Sequence, residues 1–247
     1  MRETVVLLPG LQSDHTSWAY QIEHLKSRYD VFVPTGYHSR PSIAEMADCV
    51  TDQLMPRFHF VAWSMGGYIA LQMLPRISDR LISFVLISTS ARPEDPANTE
   101  RRLENLATAE HEGMAAANER SLAFSCLDVD SLELSQREAL KQSAVNLGVD
   151  AFRAQQHAII KRPDGRANLP LVKCPTLVIV GDADEVTPPD RALEIHKGIP
   201  GSEFITIPNT GHCPPLEHPQ QVNQLLEAWF SRHSGNQPQP AAQSQGS

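Results

Sequence analysis

The chain is poor in cysteine, with four in 247 residues. They stand at Cys49, Cys126, Cys174 and Cys213, and none forms a Cys-x-x-Cys pair. Neither a disulfide framework nor a structural zinc site is expected, and the four read as reduced thiols. Long apolar runs are missing as well. No stretch approaches the roughly 18 residues that a membrane-spanning helix needs. The opening "MRETVVLLPG" lacks an apolar segment ending in a small-residue cleavage site. A cytoplasmic protein with no membrane partner is the expectation. Basic residues are in the minority, 21 Lys and Arg against 29 Asp and Glu, for a formal net charge of -8. Phosphate backbones are bound by clustered cations. Here the densest clusters are the pairs Arg101-Arg102 and Lys161-Arg162, which read as solvated helix surface. Nucleic acid is set aside as a partner.

What is present is ordinary globular composition, 41% hydrophobic and 20% charged, in a chain long enough to bury one sizeable core. Short apolar runs alternate with helical patterns. "TVVLLP" (4–9), "YDVFVP" (29–34), "FHFVA" (58–62), "LISFVLIS" (81–88), "PTLVIVG" (175–181) and "SEFITIP" (202–208) have strand length and β-branched or aromatic content. Their near-continuous hydrophobicity predicts burial on both faces. Between them, Ser42-Ile43-Ala44-Glu45 has capping-box spacing, and behind it Ile43, Met46, Ala47, Val50 and Leu54 share a helical face. Pro219 opens a last helix with Val222, Leu225, Leu226, Trp229 and Phe230 at core-facing spacing. Such alternation implies a mostly parallel sheet flanked by helices.

Two stretches depart from it. Residues 91–172 carry helical patterns and no convincing strand, which predicts an all-helical insertion between core segments 1–90 and 173–232. The tail 233–247, rich in Gly, Pro, Gln and Ser, is expected to be disordered.

The chemistry is carried by "AWSMGG" at 62–67, which lies between an apolar extended run and a helical one. A serine at such a junction sits on a sharp, strained turn with its hydroxyl above the sheet and a helix N-terminus behind it. Its neighbours two positions away must be small because strand and helix nearly collide, and Ala62 and Gly66 meet that requirement. Ala62 replaces the first glycine of the common Gly-x-Ser-x-Gly pattern. Ser64 would be a weak nucleophile without a base and an orienting carboxylate. "LVIVGDADEVTPP" puts Asp182 and Asp184 just beyond one strand, and "FITIPNTGHCPP" puts His212 in a loop beyond the next. Acids after strands are often turn formers, and a lone loop histidine is commonly surface. The joint order Ser, Asp, His after successive strands favours a catalytic triad. Acyl transfer also needs backbone donors for the oxyanion. Met65 follows the serine, and Gly10 with Leu11 follows the first strand, where Pro9-Gly10 also suits a plain turn.

Together "VVLLPGLQSDHTSW", "AWSMGGYIAL", "PTLVIVGDADEVTPP" and "GHCPPLEHP" resemble the α/β-hydrolase superfamily over Thr4 to about Phe230. The closer likeness is to its compact bacterial carboxylesterases and lactonases with a helical cap, similar in layout to 3-oxoadipate enol-lactonase and the carboxylesterase of biotin synthesis. The resemblance implies Ser64 as nucleophile, Asp184 as acid and His212 as base, with Leu11 and Met65 as oxyanion donors and Asp182 as a competing acid. It implies no metal or organic cofactor, and a small-molecule ester or lactone substrate. Pro9-Gly10 departs from the usual His-Gly. The chain begins at the first core strand, so about six strands are expected instead of eight. The same apparatus supports carbon-carbon, amide or perhydrolytic chemistry, and the fold also occurs in ligand-binding proteins without turnover. Trp63 could line the pocket or simply pack. Arg153, Lys161 and Arg162 could bind a substrate carboxylate, although solvated surface is the simpler reading.

Overall fold

The structure, a computed structural model, describes residues 2–234. From position 235 onward the expected disordered tail lies outside the described residues. Each of the six apolar runs forms a strand: β1 (Thr4–Leu8), β2 (Asp30–Phe32), β3 (Phe58–Trp63), β4 (Leu81–Ile87), β5 (Thr176–Gly181) and β6 (Glu203–Ile207). The helices are α1 (Ala19–Leu25), α2 (Ile43–Thr51), α3 (Met65–Ile77), α4 (Pro96–His111), α5 (Met114–Ser125), α6 (Leu134–Ile160), α7 (Pro189–Gly198), α8 (Pro214–Glu217) and α9 (Pro219–Arg232).

All strand pairings are parallel, in the order β2-β1-β3-β4-β5-β6. Side chains alternate across the pleat, so each strand feeds two cores. Val6, Leu8, Phe60, Ala62, Phe84, Leu86, Val178 and Val180 pack with the apolar faces of α2, α3 and α7. Val5, Leu7, Val61, Trp63, Val85, Ile87, Leu177 and Ile179 pack with α1, α8 and α9 on the other side. This explains why the central strands read as continuous apolar runs. The edge strands differ from that expectation. β2 has no buried residue and β6 only Ile207, because an edge strand has a neighbour on one side only.

Local signals behave as their chemistry requires. Ser42 caps α2, its Oγ accepting from the Glu45 N–H at 3.2 Å and donating to Glu45 Oε1 at 3.1 Å. The Glu45 carboxylate thus returns to the serine hydroxyl. Leu54 falls beyond the end of α2, where it still packs against the core.

Between β4 and β5 no strand occurs among the described residues. Helices α4, α5 and α6 build a small core of their own from Leu106, Ala109, Met114, Ala117, Ala144 and Phe152. α6 is broken at Gly148, whose φ of 79° is non-helical. The short turn Arg166–Leu171 then packs back on α3 and α7, with Leu169 in the main core. Among the described residues no helix is long and apolar enough to cross a membrane.

Strand order fixes where a site can form. The chain winds outward from β1 to β2 and then in the opposite direction from β3 to β6, so the order reverses between β1 and β3. Crevices at such reversals, beyond the carboxyl ends of the strands, are where parallel sheets bind ligands. Register aligns those ends, with Leu8 beside Ala62, Trp63 beside Ile87, and Gly181 beside Ile207.

Candidate active site

Gly10, Ser64, Asp184 and His212 all emerge within a few residues of those aligned ends. Ser64 joins β3 directly to α3 with φ 53° and ψ -120°, a backbone conformation that a non-glycine residue holds only when its surroundings over-determine it. They do so here. The Ser64 N–H donates to Ile87 O at 3.0 Å, and Ser64 O accepts from Gly67 N at 2.8 Å and from Thr89 Oγ1 at 2.8 Å. The turn also needs room. A Cβ on Gly66 would lie 2.5 Å from Leu8 O and 2.8 Å from Pro9 O, both backbone atoms, and one on Gly10 would lie 3.2 Å from Ser64 Cβ. Gly66→Ala is therefore expected to destabilise the fold by about 2–4 kcal/mol, read as a lower urea midpoint at unchanged slope. A midpoint equal to wild type would mean that strand and helix are not in contact there.

The structure brings Ser64, His212 and Asp184 together. Ser64 Oγ lies 2.8 Å from His212 Nε2, and His212 Nδ1 lies 2.9 Å from Asp184 Oδ2 and 3.0 Å from Oδ1. An ionised carboxylate only accepts, so Nδ1 carries the proton and Nε2 presents its lone pair to the serine hydroxyl. All three side chains are buried. Burial raises the Asp184 pKa, and the electrostatic pull of the adjoining His212 ring with hydrogen bonds from His212 and Thr187 outweighs it, holding the carboxyl below its ordinary value. Asp182, the competing acid, is exposed and accepts from Thr210 N at 3.2 Å. It steadies the loop that carries His212.

Among the described residues neither the Leu11 nor the Met65 N–H has a protein acceptor, whereas the neighbouring Gln12 N–H donates to Gln155 Oε1 at 3.1 Å. Gly10 and Leu11 line a cavity of about 470 Å³ together with Ser64 and His212. The Met65 side chain is in the core, so only its amide, at the N-terminus of α3, can serve the site. Trp63 lines the cavity, its ring meets Trp18 edge to face at 5.9 Å, and Nε1 donates to His212 O at 3.0 Å.

Several contributors were missed by reading the sequence. Thr187 donates from N to Asp184 Oδ1 at 2.8 Å and from Oγ1 to Oδ2 at 3.0 Å, and Val186 N reaches Oδ1 at 2.9 Å. The Asp-x-x-Thr spacing of a local turn could have suggested Thr187. Glu217 accepts from Gly211 N, Cys213 N and Leu127 N, clamping both flanks of His212. His212 N in turn donates to Ser125 O at 2.7 Å, tying the His212 loop to the end of α5.

Of the cations weighed as carboxylate ligands, Lys161 is exposed and Arg153 pairs with Glu110 and Asp150. Neither lines the cavity. Arg162 is buried, bonded to Glu94 and stacked on Tyr68 at 4.5 Å, so the reading of it as solvated surface is corrected. The same correction applies to Arg101 and Arg102, which line the cavity wall. Helical periodicity places them on α4 but cannot say that α4 lies over the sheet end.

Cys126, Cys213 and Glu217 offer ligand atoms within 4.8 Å of one another. The grouping is a poor cation site, because three amides already hold the Glu217 carboxylate. The adjoining Cys126 and burial also push the Cys213 thiol well above its ordinary pKa.

Residues 5–225 match the alpha/beta hydrolase family. The chain is 26% identical over 240 residues to the pimeloyl-[acyl-carrier protein] methyl ester esterase of Nitrosomonas europaea, covering 91% of this chain and 94% of that protein. Among solved structures, a thermophilic esterase from Thermogutta terrifontis with malate bound superposes with a TM-score of 0.79 at 29% identity, covering 94% of this chain and 91% of that one. The enol-lactonase from Burkholderia xenovorans shares the fold with a TM-score of 0.79 at 22% identity, covering 94% and 92%. The family match takes in the sheet and the helices above it alike, and the chain belongs to the alpha/beta hydrolase family.

Proposed function

We propose that the protein is a serine hydrolase that cleaves a small carboxylic ester or lactone through an acyl-enzyme, with Ser64 as nucleophile, His212 as base and Asp184 as the orienting acid. The observation that carries this reading is the buried relay from Ser64 Oγ to His212 Nε2 at 2.8 Å and from His212 Nδ1 to Asp184 at 2.9 Å, set in a cavity wall. Ser64 Oγ attacks the carbonyl carbon while its proton passes to His212 Nε2. The resulting oxyanion takes hydrogen bonds from the Leu11 and Met65 amides, which have no competing acceptor. Collapse expels the alkoxide, which leaves as alcohol with the proton from His212. A water molecule then loses a proton to the same nitrogen and attacks the acyl carbon, which returns Ser64 and releases the acid. Every step runs on this chain's own residues. Relatives named as esterases of a carboxylic methyl ester support the ester class.

In this reading the insertion 91–172 is a cap over an α/β core of 1–90 and 173–232. Asn105, Leu122, Leu140 and Gln156 of α4, α5 and α6 line the cavity opposite Ser64, which supports a role for the cap in choosing the substrate.

The test is covalent. A fluorophosphonate probe is expected to add one adduct per chain by intact mass, mapped to the peptide containing Ser64, with a burst of p-nitrophenol from p-nitrophenyl acetate before the steady state. A folded protein that takes up no probe and gives no burst would be a ligand-binding member of the fold.

A further inference from the structure

Trp63, Leu122, Leu140 and Leu216 give the cavity apolar lining. Asn105 Oδ1, Asn118 Oδ1, Gln156 Oε1 and Gln12 Nε2 are buried without a hydrogen-bond partner among the described residues, and all four residues line the cavity too. Unpartnered buried polar atoms are costly. A side-chain amide can turn either its donor or its acceptor toward a ligand. Four such groups in one cavity suit a substrate with a polar portion beyond its reacting bond.

Arg101 gives that portion its charge. This arginine is half-buried in the same wall. Its guanidinium lies 4.0 Å from the centre of the Phe124 ring, and its hydrogen bond goes to a neutral partner, from Nη2 to Asn98 Oδ1 at 3.0 Å. Among the described residues no carboxylate is within ion-pair distance of it. Burial and the Arg102 charge lower its pKa, while Glu94 and Glu185 act on it only through their charge. The other arginines nearby are neutralised or shared. Arg120 is bound by Glu104 at 2.6 Å, while Arg102 and Arg162 divide the single buried carboxylate of Glu94. Of the three arginines that line the cavity, only Arg102 and Arg120 have a carboxylate within ion-pair distance, which leaves this wall positive in a protein whose net charge is -8. Stacking on Phe124 covers a face of the guanidinium and Asn98 takes one Nη2 hydrogen, which leaves its other N–H groups for a carboxylate.

We propose that the cavity takes an ester or lactone carrying a second, carboxylate group remote from the bond that is cleaved, and that Arg101 binds that carboxylate. The inference rests on hydrolase chemistry at Ser64 and adds the class of substrate. It places the enzyme after a reaction that leaves one carboxyl of a diacid esterified or lactonised and the other free. The product is a dianion, which repulsion from Asp184 and the acidic surface helps to expel.

The experiment compares mono-p-nitrophenyl adipate with p-nitrophenyl hexanoate, esters of similar length with and without the charge, in wild type, Arg101→Gln, Arg101→Lys and Arg137→Gln. Arg137 pairs with Asp130 outside the cavity and serves as the control. Wild type is expected to prefer the anionic ester. Arg101→Gln should lower the ratio of the two kcat/KM values by about 10- to 100-fold, the size expected of a charge-assisted hydrogen bond. Lysine should restore part of the ratio, and Arg137→Gln should leave it at the wild-type value. Adipate itself, titrated by calorimetry, reads the same site without turnover and should bind Arg101→Gln at least about tenfold more weakly. A ratio insensitive to Arg101→Gln, or adipate affinity unchanged by it, overturns the proposal. Arg101-dependent adipate binding in a protein that hydrolyses neither ester would uphold the carboxylate site and remove the hydrolase reading.

Discussion

Ser64→Ala is expected to lower kcat/KM for p-nitrophenyl butyrate by about 10⁴- to 10⁶-fold while leaving the melting temperature within a few degrees of wild type. The two halves of that expectation have different origins. Stability should be nearly unchanged because the bonds holding the turn involve the Ser64 backbone, not its hydroxyl: N to Ile87 O, and O from Gly67 N and Thr89 Oγ1. Alanine occupies the same volume and tolerates φ 53° about as poorly as serine, so the strain is common to both proteins. Activity should collapse because in the proposed mechanism the hydroxyl is the atom that forms the acyl bond. The residue left over is not zero, since the Leu11 and Met65 amides and the cavity can still bind and polarise a carbonyl for attack by water. A loss of less than about tenfold would mean that the ester is cleaved elsewhere on the molecule, and the triad reading would fall.

The sequence made the strands legible because the central four are buried on both faces, so their pattern is unbroken apolar character instead of alternation. Ser64 was legible for a related reason. A serine on a strand-to-helix turn forces small residues around it, and Gly66 lies against the Leu8 carbonyl as that logic requires. Asp184 and His212 could be paired because successive parallel strands deliver successive loops to one edge. The burial of arginines in and beside the helical insertion was not legible. Arg101, Arg102 and Arg162 occupy ordinary positions of solvated-looking helices, and their burial depends on how α4 and α6 lie over the sheet, which no local spacing encodes. Supporting groups such as Thr187 and Glu217 were hidden for the same reason. Their role comes from contacts with a loop, and a threonine or glutamate in a Pro-rich turn carries no periodic signature.

Asp184→Asn is expected to lower kcat by about 10³- to 10⁴-fold at neutral pH with a much smaller change in KM, whereas Asp182→Asn should change kcat by less than about threefold. The geometry sets the direction. Asp184 Oδ1 receives the Val186 and Thr187 amides at 2.9 and 2.8 Å, so an asparagine must keep its oxygen there and turn its NH₂ into the Oδ2 position. That NH₂ would stand 2.9 Å from His212 Nδ1. Two donors cannot face each other at that distance, so His212 gives up the Nδ1 proton and carries it on Nε2, directed at Ser64 Oγ. A base already protonated on its working nitrogen cannot accept the serine proton. The aspartate avoids this only while it is ionised. Its folded-state pKa lies below its ordinary value, so its stabilising contribution is fully present above about pH 4 and is lost only as pH falls through the folded value. Across the neutral range it is a fixed negative charge. At Asp182 the substitution keeps the oxygen that accepts Thr210 N, and the loop carrying His212 stays in place. Equal losses in the two variants, or a larger one at Asp182, would move the acid to that position.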